Sequence, residues 1–314
     1  MNQPLVTIAI PTYNNAAYIA DAVKSAMAQD YPNLEIIILD DASEDNTQDL
    51  VTPYENDPRV RYYRNDRNIG RVANYHKALH EQARGEWYLN LDGDDYLTDN
   101  TFISKAISWI QQFESVVMVT GACERLVDDK LDQLIRSKYN EELTCIDGKT
   151  YFLDLPSLKA SFIHLATLYN RAKAMALNFY SEDILSTDLE SLYRLILTGN
   201  IISYDKVVGV WRIHGENESS RNMFSVDKVI KNFSFVESPA GFARTYLAKE
   251  QVQAWRKTLL LTIIEGYIIK VILRRPKNSL AMIFRLFKKY PLHFTHACWR
   301  VLSRNVKKLF RPSR

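Results

Sequence analysis

The amino-acid sequence predicts an α/β fold: a mixed, mostly parallel sheet flanked by helices, with a helical extension at the C-terminal end. Three observations predict it. Residues 1–120 alternate short apolar runs with helix-like stretches, the rhythm of a parallel sheet with right-handed crossovers. The first run, residues 5–10, is continuously apolar, as a strand buried on both faces is. Residues 225–314 read as helices almost throughout.

Residues 5–10 form the first strand, and a helix is expected over 16–28, ending before Tyr31-Pro32. Residues 34–39 give the second strand, closed by Asp40-Asp41. The next helix is expected over 44–51 with Ser43 as its N-cap. A short strand at 59–63, a helix at 71–82 and a strand at 86–91 complete the first part. Residues 121–224 are less regular, with a helix at 188–197 and two β-rich runs at 201–204 and 207–213. No internal repeat or low-complexity linker interrupts the chain.

At 314 residues, the chain suits one large α/β domain with an appendage, or two domains. Its 46% hydrophobic and 25% charged content excludes disordered, collagenous and coiled-coil classes. Cys123, Cys145 and Cys298 share no metal-ligand spacing, which argues against a zinc site or disulfide scaffold and for a reducing compartment. The first residues, Met1-Asn2-Gln3-Pro4, lack a basic segment, and the apolar run ends by Ile10, so no signal peptide is expected.

Polar clusters follow three of the strands: Pro11-Thr12-Tyr13-Asn14, Asp40-Asp41-Ala42-Ser43 and Asp92-Gly93-Asp94-Asp95. Open α/β sheets bind ligands outside the carboxyl ends of their strands. Each cluster alone has a structural explanation as a cap or turn, but all three at one sheet edge point to an acidic, aromatic-lined pocket. Two carboxylates one residue apart are hard oxygen ligands for Mg²⁺ or Mn²⁺, which bind substrate phosphates beside one or two protein carboxylates. No P-loop is present, and no Gly-x-Gly-x-x-Gly follows the first strand, so neither an ATPase nor a dinucleotide enzyme is supported.

The order Ile10-Pro11-Thr12-Tyr13-Asn14, Leu39-Asp40-Asp41-Ala42-Ser43, Asn68-Ile69-Gly70 and Leu91-Asp92-Gly93-Asp94-Asp95 resembles the family 2 glycosyltransferases of the GT-A fold. A weaker match continues through Thr187-Asp188 and Trp211-Arg212-Ile213-His214. The resemblance implies a metal-dependent, inverting transfer of a sugar from a nucleotide-sugar. It implies that Thr12, Tyr13 and Asp41 hold the base, Asp92 the ribose and Asp94 the metal, with Asp95 a second ligand or a sugar contact. A carboxylate accepts the N3–H of uracil but cannot pair with the bare N3 of cytosine, so Asp41 favours a UDP-sugar. Residues 1–120 would form the nucleotide-sugar half and 121–224 the acceptor half.

Inverting members carry Glu-Asp at the start of a helix, and the matching place here reads Thr187-Asp188. Asp188 is the candidate base, with Glu190 behind it. The alternative is that Ser186 or Thr187 caps the helix and Asp188 complements its dipole. Arg212 or His214 would face the diphosphate, and His214 is counted with Asp94 and Asp95 in the metal set. Arg71, with Arg67, is placed to reach phosphates. The Gln-x-x-Arg-Trp signature of processive synthases is missing, which favours one sugar per encounter.

The charge is asymmetric. Beyond Glu265, the last carboxylate, stand 13 lysines and arginines, leaving a net charge of −10 on the remainder. Leu280, Ile283, Phe284 and Phe287 share one helical face, opposite Arg285, Lys288 and Lys289. Phe294, Cys298, Val301, Leu302, Val306 and Leu309 share another, opposite Arg300, Arg304, Lys307 and Lys308. Basic amphipathic helices suit an anionic membrane surface, whereas the acidic body and lack of any nucleic-acid motif exclude nucleic acid. The expected protein is peripheral at the cytoplasmic face of the membrane and acts on a lipid-linked or membrane-anchored glycan. Alternatives are a polyprenyl-phosphate glycosyltransferase and a non-catalytic nucleotide-sugar-binding subunit.

Overall fold

The computed structural model describes residues 3–139, 141–215, 217, 225–274 and 277–309, with the backbone alone from 304 onward. It divides into two compact units, Met1–Asp183 with Thr187–His214 and Ile184–Ser186 with Gly215–Arg314.

The first unit is built on one mixed sheet. Its core strands are β1 (Val6–Thr12), β2 (Leu34–Asp40), β3 (Val60–Arg64) and β4 (Trp87–Asn90), parallel in the order β3-β2-β1-β4. Every residue of β1, β2 and β4 is buried, in keeping with their predominantly apolar character. Strand order reverses at β1, so its carboxyl end opens a crevice between β2 and β4.

One face of the sheet packs Ile8, Ile10 and Ile36 against α1 (Ile19–Met27) and α4 (Phe102–Gln112), through Ala22, Val23, Phe102 and Ile103. Each fully buried Ile or Phe contributes about 1.5–3 kcal/mol relative to exposure. On the other face lies α3 (Arg71–Lys77), which runs into a π-type turn at Ala78–Gln82.

The sheet then extends as β9 (Thr167–Asn170), β6 (Val116–Val127), β10 (Asn200–Ile213) and β5 (Tyr96–Leu97). β6 and β10 are parallel to each other, while β9 and β5 run against their neighbours. β7 (Lys130–Ile135) pairs with β6, and β8 (Leu143–Asp147) pairs with β10. The two β-rich runs expected near the end of this unit are one strand, β10, with a register shift between Tyr204 and Val207. The remaining helices are α2 (Thr47–Val51), α5 (Gly148–Asp154), α6 (Arg171–Ala176) and α7 (Thr187–Ile196).

Two expected helix starts differ. The first helix begins at Ile19, and the second at Thr47 without a Ser43 cap. The intervening residues serve the loops. Asp45 accepts from Thr47 N–H and Ala16 N–H, Ser43 Oγ accepts from Asn14 N–H at 2.9 Å, and Asn14 Oδ1 accepts from Glu44 N–H at 2.8 Å. The loops after β1 and β2 are thereby laced together.

The second unit is helical: α8 (Val226–Asn232), α9 (Ser234–Ala243), α10 (Lys249–Arg274), α11 (Ser279–Lys289) and α12 (Pro291–Leu309). Glu237 of α9 takes a bidentate pair from Arg256 of α10 at 2.6 and 2.7 Å, and a bond from Tyr290 Oη at 3.1 Å. No helix among the described residues is long and apolar enough to cross a membrane.

Glu35 is the polar stitch of the sheet. Its Oε1 accepts from Thr7 Oγ1 at 2.5 Å and Arg84 N–H at 2.6 Å, and its Oε2 pairs with Arg61. It therefore ties β2 to β1, β3 and the turn before β4. Glu35→Leu is expected to cost about 2–4 kcal/mol in urea unfolding, by stranding the main-chain donors and the Arg61 charge, whereas Glu35→Gln keeps an acceptor and costs less. Equal losses for the two variants would refute this role.

Candidate active site

The crevice at the carboxyl end of β1 collects the three motif loops. Leu91 N–H bonds to Ala9 O at 2.8 Å, Gly93 N–H to Pro11 O at 3.1 Å and Asp41 N–H to Thr12 O at 2.9 Å. These bonds continue the sheet ladder past the strand ends and fix the three loops relative to one another. Gly93 packs flat on Thr12: an added Cβ would lie 2.6 Å from Thr12 Oγ1 and 2.9 Å from Thr12 Cβ.

Asp92, Asp94 and Asp95 each offer an oxygen within 4.8 Å of the others. Burial pushes the Asp95 carboxyl well above its ordinary value, and the charges of Asp94 and Asp92 push it further. Burial also raises Asp92, with Asp94 adding to the shift, while Tyr75 and Arg71 oppose it. The chain holds this repulsive set with specific donors. Arg212 N–H donates to Asp95 Oδ1 at 2.8 Å, and His214 Nε2 donates to Asp94 Oδ2 at 3.0 Å. Tyr75 Oη and Asn90 Nδ2 both donate to Asp92 Oδ1, at 2.5 and 2.9 Å.

β10, α3 and β4, which ends at Asn90, position these donors. β10 brings Arg212 and His214 beside β5, just after the acidic loop. The Arg212 guanidinium lies 4.5 Å from the centre of the Tyr96 ring and donates to Asp21 Oδ2 at 2.6 Å. The His214 ring stacks on Tyr18 with centroids 4.8 Å apart. Finally, α3 carries Arg71 and Tyr75 one turn apart, with the guanidinium 5.1 Å from the ring centre.

Asp41 is buried and mostly committed. Its Oδ1 accepts from Asn65 Nδ2 at 2.9 Å and Ile69 N–H at 2.8 Å, and its Oδ2 accepts from Gly70 N–H at 2.8 Å. One acceptor direction on Oδ2 remains. Gly70 precedes α3 at φ 90°, a conformation that favours glycine. Asp41 therefore fixes the start of the helix that carries Arg71. The neighbouring Asp40 is structural, with its carboxylate bound to Ser43 and Tyr62. Thr12 is buried, and Tyr13 is 40% exposed at the rim.

Asp188 is the second residue of α7 and is half-buried. Burial raises its carboxyl above the usual value, and Arg71 opposes the shift, so Arg71 acts on both Asp92 and Asp188. Glu190 is different: it is fully buried and clamped by Arg194 through bonds of 2.7 and 2.8 Å. Beside Asp188, Tyr180 Oη meets His164 Nε2 at 2.8 Å and Tyr169 Oη at 2.6 Å. Burial lowers His164 to about 4, keeping its ring neutral near pH 7.

Sequence reasoning missed Tyr75, Asn90, His164 and Tyr180. Tyr75 was findable, one helical turn after Arg71. His164 and Tyr180 reach the site only through the packing of β9 and the loops around it, which leaves no periodic signal.

Residues 7–163 match the model of glycosyl transferase family 2, described as "Glycosyl transferase family 2". WcaA of Escherichia coli (strain K12), whose name assigns it to colanic acid biosynthesis, is 42% identical over 101 residues, 32% of this chain and 36% of its own. TarS of Staphylococcus aureus, a poly(ribitol-phosphate) beta-N-acetylglucosaminyltransferase, is 30% identical over 115 residues, covering 36% of this chain and 20% of its own. The matches thus span about a third or less of these relatives' lengths. A crystal structure of TarS 1–349 with UDP-GlcNAc superposes with a TM-score of 0.69 at 17% identity, covering 98% of this chain and 93% of that one. The mannosyltransferase PcManGT from Pyrobaculum calidifontis, solved with GDP-Man and Mn²⁺, superposes at 0.53 with 18% identity, covering 99% and 88%. At such identities the superpositions establish a common fold.

The Thr12–Gly93 contact makes a direct test possible. Gly93→Ala is expected to destabilise the protein by about 1–3 kcal/mol through overpacking. Combining it with Thr12→Ala, which removes Oγ1, should recover part of that loss. Strict additivity in a thermal double-mutant cycle would refute the close approach.

Proposed function

The chain belongs to glycosyl transferase family 2, and from that premise we propose that it transfers a sugar from a nucleotide-sugar to a glycan acceptor with inversion at the anomeric carbon. The observation that carries this reading is the convergence of Asp92, Asp94 and Asp95 on the crevice where strand order reverses. Tyr13 offers an exposed ring to the base and Thr12 a hydroxyl, while Asp41 keeps one acceptor direction for the N3–H of uracil. This supports a UDP-sugar, with Asp92 at the ribose.

The close set of hard oxygens, forced together against burial and mutual repulsion, fits Mg²⁺ or Mn²⁺. Asp94 and Asp95 would hold the ion, with His214 supporting Asp94. When bound, such an ion neutralises the diphosphate and eases its departure. The chain's own groups then act on the acceptor. Asp188 takes the proton from the acceptor hydroxyl as that oxygen bonds to the anomeric carbon. The bond to the diphosphate oxygen breaks, and the nucleoside diphosphate leaves with the electron pair. Arg71 supplies positive charge near the acids, and Arg194, paired with Glu190 within α7, donates to Leu177 O and so ties α7 to the segment after α6.

The acceptor on this reading is a lipid-linked or membrane-anchored glycan of a cell-surface polysaccharide, met at the cytoplasmic face of the membrane. Support comes from relatives named for surface polymers and from the acid-free C-terminal segment.

Two outcomes test the reading. In thermal-shift measurements, UDP with Mn²⁺ should raise the melting temperature of the wild-type protein, and Asp94→Asn should lose that increment and at least about 10²-fold in transfer rate. An unchanged increment would remove the cation from Asp94. Asp188→Asn should lower kcat by about 10²–10⁴-fold with KM little changed. Because the base works ionised and burial raises its pKa, wild-type kcat/KM should fall as pH drops through a value above the ordinary aspartate range. A fully active Asn variant would instead support a polyprenyl-phosphate acceptor, which needs no base.

A further inference from the structure

The second unit exposes apolar surface to an unusual degree. Among the described residues, nine of the sixteen strongly exposed large apolar side chains lie between 269 and 302, and so do the six most exposed, led by Leu280 at 84% and Leu292 at 81%. On α11 and at its C-cap, the face packed into the protein is Met282, Leu286 and Tyr290. Leu280, Phe284 and Phe287, at i, i+4 and i+7, form a separate stripe left exposed. The packed face is a second apolar face, beside the Leu280, Ile283, Phe284 and Phe287 face read from the sequence. On α12, Ala297 and Val301 are packed, while Leu292, Trp299 and Leu302 are exposed. The Phe287 and Phe294 rings meet edge to face at 5.9 Å, joining the two helices.

Cations flank the α11 stripe. Arg285, Lys288 and Lys289, with Ile230 and Phe284, line a groove of about 600 Å³. Lys289 Nζ donates to Ile230 O at 3.0 Å, leaving two of its donors. Arg285 stands 3.6 Å from the highly exposed Asp227, a weak pair. Lys288 has no hydrogen-bond or ion-pair partner among the described residues. The expected contribution of Arg300 is reduced, because it pairs with the buried Glu265 at 3.3 Å. Arg304, Lys307, Lys308, Val306 and Leu309 fall where no side chain is described.

We propose that the Leu280–Phe284–Phe287 stripe of α11, with Leu292, Trp299 and Leu302 of α12, is a docking face for an anionic phospholipid bilayer. Its apolar side chains enter the acyl boundary, and the groove beside Phe284 receives a lipid phosphate between Arg285, Lys288 and Lys289. Charge selects this occupant. A second copy would bring the same cations against these, and α11 and α12 contain no carboxylate to meet them, whereas anionic headgroups neutralise them while the apolar stripe leaves water. The inference deepens the membrane part of the proposed function and rests on it for cellular location, but it is independent of donor chemistry.

Co-sedimentation of the full chain with vesicles tests it, using phosphatidylcholine alone or with about a third phosphatidylglycerol. The wild type is expected to bind the anionic vesicles at least about tenfold more tightly, with affinity falling as salt rises. Phe284→Ser combined with Phe287→Ser should weaken binding by about tenfold or more, and Lys288→Glu should erase the preference for phosphatidylglycerol. Equal binding to both vesicles, no binding, or phenylalanine variants that bind like wild type would each overturn the proposal. So would a concentration-dependent dimer that those variants convert to monomer. The UDP and Mn²⁺ thermal shift, measured on the same samples, should be unaltered in every variant; its absence in the wild type would count against the donor reading and leave the docking face standing.

Discussion

Everything in the first unit depends on holding three carboxylates together at the end of a buried strand. Water would solvate such charges separately. Here they stand within 4.8 Å of one another, and burial drives two of them toward protonation. The arrangement persists because each acid has a donor supplied by the fold: a main-chain N–H of β10 for Asp95, His214 just after β10 for Asp94, and Tyr75 of α3 and Asn90 of β4 for Asp92. Those donors come from distant parts of the sequence, so the cluster exists only once β10 has paired. A repulsive set preorganised in this way is suited to a multivalent cation, because the folding energy already covers the cost of bringing the ligands together.

A second chain of contacts runs through the neutral and basic groups. Asp41 grips the 69–70 backbone, which starts α3; α3 carries Arg71 and Tyr75; Tyr75 grips Asp92. The electrostatic influence of Arg71 extends to Asp188. One buried carboxylate after β2 thus helps set the geometry of another after β4. Asp41 is consequently both a candidate base contact and a positioning group, and replacing it would disturb the ribose side of the pocket as well as the base side.

The inner parallel strands β1, β2 and β4 were legible because they are buried on both faces and write predominantly apolar runs, with the motif loops directly after them. β6 opens with the apolar run Val116–Val119, for which no strand was expected from the sequence, and β9 and β5 left weaker marks. β5 is two residues long, and β9 has an exposed-looking sequence that tertiary packing buries. Ser43 reads as a helix cap by composition, yet the loops after β1 and β2 claim its hydroxyl. In the C-terminal helices the 3.6-residue period was readable, but each helix has more apolar positions than one face can hold. Only contact with neighbouring helices decides that Met282 and Leu286 turn inward while Leu280 and Phe284 turn out.

The choice between the two acids of α7 shows how burial can reverse a local rule. A helix N-terminus favours the ionised carboxylate and lowers its pKa by a fraction of a unit to about one unit. Asp188 sits in the first turn, so on local grounds it is a weakened base. Its surroundings include Tyr169, Tyr180 and Tyr193, each of which registers the Asp188 charge, and burial outweighs the opposing Arg71 charge and main-chain hydrogen bonds, leaving the carboxyl raised. Glu190, two residues on, is more deeply buried still, but a bidentate guanidinium compensates its charge and occupies both of its oxygens. A base must be raised in pKa and also reachable by the proton it removes. Of the two, only Asp188 combines a raised pKa with partial exposure.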